Sequence, residues 1–259
     1  DEMVALDRWA VERARSLQDD VVDAYRSSEF HQIYQRVHNF CVDDMGGLFL
    51  DVIKDRLYTT PTESHARRSA QSAMFHIAEA MVRWLAPVLS FTAEEIWARL
   101  PGERAQSVLL DGWYQIPGAA APGTAVDWPL LLKLREAVAR ELESLRNAEA
   151  IRSGLDAEVR FYCAPGVRER LAPLGDELRF VFITSEAAVH DAAEAPAEAV
   201  PVEGFAPGDV SLVVAATSCE KCARCWHRRP DVGADPEHPE ICGRCVGNVT
   251  GAGETRRYA

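Results

Sequence analysis

Four cysteines near the C-terminus, Cys222, Cys225, Cys242 and Cys245, form two Cys-x-x-Cys pairs separated by residues 226–241. This is the spacing with which thiolates surround a tetrahedral Zn²⁺. The ion takes four sulfurs at about 2.3 Å, and a two-residue spacer lets each pair wrap it through a backbone knuckle. A closed four-sulfur site has no open position for water, so its chemistry is structural: one ion, stabilising the fold of this end rather than activating a substrate. The linking loop carries Pro230, Gly233, Pro236 and Pro239, which makes it a run of turns between two knuckles, a zinc ribbon. Cys219-Glu-Lys-Cys222 offers a competing pair. Cys222-Ala-Arg-Cys225 and Cys242-Gly-Arg-Cys245 share a small residue followed by arginine, which favours those four, with His227 and His238 left as substitutes. Disulfides of a secreted protein fit less well, because seven cysteines are an odd number and no signal peptide is visible.

Beside the first knuckle stands Trp226, flanked by Arg224, Arg228 and Arg229, with Arg244 in the second knuckle. Aromatic plus basic side chains can stack an unpaired base and meet phosphates; the same tryptophan could equally pack against the knuckle as a small core. The net charge of the chain is -12 over 259 residues, which argues against a general nucleic-acid binder. Residues 217–259 hold seven Lys or Arg against six acids, so the zinc end is the less anionic part. Weak RNA binding with a shallow salt dependence is the expectation. No apolar run approaches the ~20 residues of a membrane span. Many thiols without partners point to a soluble, cytoplasmic protein. The length suits about two domains and a small metal-dependent module. The chain opens on Asp1 inside a helical pattern, as a part of something longer would.

The elements that must position these residues follow from periodicity. Met3, Leu6, Trp9, Ala10, Leu17, Val21 and Tyr25 mark an amphipathic helix over 3–26. A longer helix over 29–58 carries Phe30, Ile33, Tyr34, Val37, Phe40, Cys41, Leu48, Val52 and Ile53, with a weak point at Gly46-Gly47. Thr62 caps a third, ending before Pro87, and Thr92-x-x-Glu95 reads as the capping box of a fourth. Trp84, Phe91 and Trp97 are expected in the core. Short joints make these helices a bundle over 1–117. A Pro/Gly/Ala linker at 118–124 separates it from a small α+β domain over 125–216: a helix through Leu130, Leu134, Val138 and Leu142, then strands at 159–163, 180–183 and 210–214. Residues 187–207 read as a mobile loop, and 217–259 as the zinc module. The fold class is therefore mostly α: a helical bundle, a small α+β domain and a C-terminal zinc ribbon.

Several stretches together resemble the C-terminal part of bacterial isoleucyl-tRNA synthetases, over nearly the whole chain. They are Leu6-Asp-Arg-Trp9; Tyr34-Gln-Arg-Val-His-Asn-Phe40 with Leu50-Asp-Val-Ile-Lys-Asp-Arg-Leu-Tyr58; Glu79-Ala-Met-Val-Arg-Trp-Leu-Ala-Pro87; Phe91-Thr-Ala-Glu-Glu-Ile-Trp97; Leu174-Gly-Asp-Glu-Leu-Arg-Phe180; and the zinc segment through Arg256-Arg-Tyr-Ala259. Met45-Gly46-Gly47 departs from that pattern, where a Leu-Ser-Ser run is commoner, and Cys219 is an added thiol. The resemblance implies a class I anticodon-binding bundle, zinc on the four cysteines, tRNA-Ile as partner, and attachment to N-terminal catalytic and editing domains of the same polypeptide. It also implies an isoleucine-tRNA ligase of which this chain is a non-catalytic part, because the His-x-Gly-His and Lys-Met-Ser-Lys-Ser motifs that act on ATP in class I synthetases are absent. Two other classes are carried alongside it. One is a zinc-ribbon protein that binds DNA; the other is a docking module, whose mark would be an exposed apolar patch on the helices.

Overall fold

A computed structural model describes residues 3–118 and 126–259. The chain divides into two compact units, Asp1–Ile53 with His65–Gly123, and Lys54–Ser64 with Thr124–Ala259. The architecture is mostly helical, with one four-stranded sheet. Residues 119–124 of the expected linker lie outside the described residues.

In the first unit, α1 (Ala5–Arg26) buries Leu6, Ala10, Ala14, Leu17, Val21 and Ala24 on one face. It packs on α4 (His65–Leu85), whose buried stripe is rich in alanine: Ala66, Ala70, Ala73 and Ala80. Small side chains there let the two backbones approach, and Trp84 fills the space beyond them, fully buried. The indole N–H of Trp84 donates to Gln18 Oε1 at 3.0 Å, and its carbonyl accepts the Tyr25 hydroxyl at 2.6 Å. The long second helix forms as three segments: α2 (Phe30–Asn39), a π-helix (Phe40–Phe49) and α3 (Leu50–Thr59). The expected weak point thus takes the form of a widened turn. A Cβ on Gly46 or Gly47 would lie 3.1 or 3.2 Å from the carbonyl oxygen of Cys41 or Val42, so two glycines suit the winding.

Two helix starts differ from expectation. Residue Thr62 does not cap α4; it lies in a turn closed by Ser64 N–H on the Pro61 carbonyl at 3.0 Å, and the helix begins at His65. Nor is Thr92-x-x-Glu95 a capping box, because α5 (Ser90–Trp97) starts two residues earlier, where Leu89 N–H reaches the Leu85 carbonyl at 2.7 Å and continues directly from α4. Trp97 is buried with Val82, Ala86, Ala93 and Val108. Its indole is covered by the guanidinium groups of Arg83 and Arg104, 4.6 and 4.4 Å from the ring, which share the buried carboxylate of Glu79. Phe91, by contrast, is 90% exposed rather than core.

The second unit is built on a sheet of order β2-β1-β4-β3. Central β1 (Ala157–Cys163) runs parallel to β2 (Glu186–Asp191) and antiparallel to β4 (Val210–Ala216), which pairs with the short β3 (Val200–Pro201). Helix α6 (Trp128–Asn147), capped by Asp127 accepting from Leu130 N–H at 3.0 Å, packs its leucine face on β4. The parallel β1/β2 pair needs a crossover, supplied by α7 (Pro165–Leu171), a 3₁₀ turn and α8 (Leu178–Phe182). The run 180–183, expected as a strand, is therefore mostly helix. Periodicity cannot separate a short continuous apolar run in a strand from one in a helix buried all round, and Leu178 to Phe182 are all buried. Ile183 ends α8 at φ 55°, and its carbonyl sits where a Cβ on Gly154 would come within 2.6 Å, so only glycine fits at 154. The segment read as a loop, 187–207, instead supplies both edge strands.

Replacing Trp84 with alanine removes the largest fully buried side chain and strands the Gln18 carboxamide. A loss of about 3–5 kcal/mol is expected, read as a lowered midpoint in urea unfolding followed by far-UV circular dichroism.

Candidate metal centre

The first knuckle is closed by backbone hydrogen bonds: Cys222 N–H to the His227 carbonyl at 2.9 Å, and Trp226 N–H to the Cys222 carbonyl at 3.0 Å. A turn this tight needs a left-handed residue, and Trp226 takes it at φ 67°. A bridge between Lys221 and Arg228 seals its base. The second knuckle is a helix start. Cys242 is the residue before α9 (Gly243–Thr250), Cys245 lies in its first turn, and Val246 N–H bonds the Cys242 carbonyl at 3.0 Å. The second half of the expected ribbon thus runs into a helix. Asp231, from the linking loop, accepts the Gly243 N–H at 2.9 Å.

These two turns bring four sulfurs together. All lie within 4.8 Å of one another, and among the described residues they are the one cluster of metal-ligating side chains. A tetrahedral ion with Zn–S of about 2.3 Å requires sulfurs about 3.8 Å apart; Cys225 and Cys242 stand at 3.7 Å. The Cys242 N–H points at the Cys222 sulfur at 3.3 Å, as amides do around zinc thiolates. All four residues are buried, with Val232 and Ile241 packed over them. Hydrogen bonds from Cys225 and then Cys245 pull the Cys242 thiol down to about 3, favouring one thiolate. The same contacts push Cys245 up, so a cation would be needed to draw off its proton. The residues fit one structural zinc. Cys219 stands outside the cluster, half-buried, its N–H on the Thr217 hydroxyl at 3.3 Å. Neither His227 nor His238 joins the sulfurs.

His227 instead belongs to an ionic knot. Asp55, midway along α3, takes two hydrogen bonds from Arg244 at 2.7 and 2.9 Å and one from Arg256 at 2.7 Å, with His227 Nε2 at 3.6 Å. Glu254 bridges the same two arginines at 3.1 and 2.9 Å. The Phe180 ring is faced by Arg256 at 3.2 Å, Arg179 at 4.2 Å and Arg244 at 5.1 Å, and His227 meets it edge-on. Burial pushes the Asp55 carboxyl up, yet the nearby His227 ring, the hydrogen bonds from Arg244 and the charges of Arg244 and Arg256 hold it well below the usual range. On the sheet side, Arg228 Nε donates to Asp156 at 2.8 Å and its N–H to the Ser185 hydroxyl at 2.6 Å, while Arg229 reaches the Ser185 carbonyl at 3.1 Å. Arg224 donates to the Thr59 carbonyl at 2.6 Å.

All four arginines singled out for nucleic acid thus have partners inside this unit, and Arg244 is nearly enclosed. Trp226 is different. It is 61% exposed, with the Lys221 ammonium 5.2 Å from its ring. Sequence reasoning found the cysteines and missed the knot. Asp55 and its arginines lie 189 and 201 positions apart, and no local spacing marks such a contact.

Residues 7–161 match the family described as the anticodon-binding domain of tRNA ligase, and residues 220–247 the zinc finger found in FPG and IleRS. The chain is 56% identical over 261 residues to a protein of Halorhodospira halophila, 57% over 265 to one of Thioalkalivibrio sulfidiphilus, and 54% over 262 to one of Azotobacter vinelandii. Each is named isoleucine--tRNA ligase, and each alignment covers the whole of this chain. The chain spans 28% of the length of these relatives.

Asp55→Asn leaves two buried guanidinium groups short of a counter-charge, and a loss of about 3–5 kcal/mol is expected. The depressed carboxyl stabilises the fold above the unfolded value of about 3.9 and ceases to as pH falls through the lower folded value. Thermal melts from pH 7 to pH 3 should therefore show the gap between wild type and variant closing below about pH 4.

Proposed function

The chain belongs to the family of anticodon-binding domains of tRNA ligases, and from that premise we propose that it grips the anticodon arm of tRNA-Ile as one part of a longer isoleucine-tRNA ligase. Its helices form a class I anticodon-binding bundle, with 1–117 as bundle, 125–216 as α+β domain and 217–259 as zinc module. Activation of isoleucine with ATP and editing belong to the rest of that polypeptide, acting in the cytoplasm. Among the described residues no helix is long and apolar enough to cross a membrane. A DNA-binding zinc ribbon or a pure docking module accounts less well for a chain whose residues 7–161 match the anticodon-binding domain of tRNA ligase, while the zinc finger, found in FPG as well as IleRS, does not separate these readings.

The observation that carries the reading is Trp226. A tryptophan open to solvent on a left-handed turn, beside a buried sulfur cluster, has its backbone held in place by the knuckle's own hydrogen bonds. Bound zinc, held by Cys222, Cys225, Cys242 and Cys245, supplies rigidity and no bond-making chemistry. The ring offers a face on which an unpaired base can stack, and Lys221 puts a positive charge next to it. Arg224, Arg228 and Arg229 complete the basic surround, their heads oriented by Thr59, Asp156 and Ser185, while the enclosed Arg244 is committed to Asp55 and Glu254 and supports the module from within.

Trp226→Ala should keep one zinc per chain and lose about tenfold or more in affinity for a tRNA-Ile anticodon stem-loop, since a base stack is typically worth ~1 to 3 kcal/mol. Unchanged affinity at unchanged zinc content contradicts the assignment. Chelation should unfold the zinc module and abolish the same binding, seen as loss of signal from Trp226 and Tyr258 in near-UV circular dichroism.

A further inference from the structure

The face of α2 carries a second feature that the zinc module does not explain. Phe30, Tyr34 and His38 follow one another at four-residue steps, which stacks them along one side of the helix. All three are exposed, Phe30 at 56% and Tyr34 at 73%. Ile33 and Val37 are the α2 residues that bury. Phe30 and Tyr34, counted among the apolar residues of this helix, do not bury. The stripe's rings are ordered: Tyr34 and His38 pack at 5.7 Å with 36° between planes, and Phe30 meets Tyr25 edge-on at 6.1 Å. The Tyr25 hydroxyl is in turn bonded to the Trp84 carbonyl in the bundle core.

The surroundings say what could lie on it. The chain has 40 acidic residues, yet none falls between 30 and 42. Asp20 on the neighbouring helix is paired with Arg36. Exposed His31, Gln35 and Asn39 flank the rings with side-chain donors and acceptors. Unpaired nucleobases use both a π face and edge hydrogen bonds, and the rings with this polar border offer the two together. Over eight residues the stripe extends about 12 Å, enough for more than one base.

We propose that Phe30, Tyr34 and His38 form a stacking platform for unpaired bases of a single-stranded RNA loop, separate from Trp226. The proposal rests on the reading of the chain as an anticodon-arm binder and adds where on the bundle the loop is held. Tyr34 and His38 supply the two exposed faces, and Phe30, braced by Tyr25, sets the near end.

The test uses the full chain with its zinc and two probes: a short RNA stem closed by an unpaired loop, and the same stem as a blunt duplex, followed by fluorescence anisotropy. Tyr34→Ala with His38→Ala should weaken loop binding about tenfold or more while leaving duplex binding, zinc content and thermal midpoint unchanged. Tyr34→Phe, which keeps the ring, should bind as wild type. Wild-type binding of the loop that the double variant retains, while Trp226→Ala loses it, overturns the platform and leaves the anticodon reading standing. No preference of wild type for loop over duplex overturns both. Loss in the double variant of a concentration-dependent self-association, with RNA binding intact, would assign the stripe to a protein contact and likewise overturn the proposal.

Discussion

The C-terminal module has too few apolar side chains to fold around a core of its own, and everything else about this end of the chain follows from that shortage. Its interior consists of four sulfurs with Val232 and Ile241 over them. A divalent ion in that cage would replace the missing hydrophobic burial with metal–thiolate bonds, and those bonds would fix two turns whose geometry is otherwise unfavourable: a tryptophan at positive φ and a helix that starts on a cysteine.

Metal alone would leave the module free to tumble against its neighbours. The ionic knot ties it down. Asp55 and Glu254 gather Arg244 and Arg256 against Phe180, and Asp156 and Ser185 hold Arg228 and Arg229 on the sheet side. Buried ion pairs contribute little net stability compared with well-packed apolar groups, but removing one partner is costly because it leaves a charge stranded. Such a network therefore specifies one arrangement more than it strengthens the fold. The proposed role of Trp226 needs that specificity, since a base can stack on its ring only if the knuckle beneath it does not wander.

Features governed by short-range spacing were legible in the sequence: the two Cys-x-x-Cys pairs, the amphipathic α1 and α6, and the alternation of Val159, Phe161 and Cys163 in β1. Features decided by tertiary context were not. Phe180 to Ile183 look the same as a buried strand or a buried helix until Gly154 and α6 are placed beside them. Thr92 matches a capping box by spacing, yet α4 turns into α5 at Leu89 and leaves it inside the helix. Periodicity grouped Phe30 and Tyr34 with Ile33 and Val37, and helical spacing set Phe91 in the core, because such patterns register that a residue is apolar, not that something covers it. The Asp55 knot had no local signature, only charges far apart in sequence.

The proposed anticodon recognition is linked to zinc through a single ring and the knuckle beneath it. The most direct test is equilibrium binding of the wild-type chain to tRNA-Ile and to a non-cognate tRNA, with zinc assayed in the same sample. One zinc per chain and a clear preference for tRNA-Ile are expected. One zinc per chain with equal affinity for both tRNAs would contradict the proposed recognition, leaving a structural metal module that takes no part in choosing the RNA.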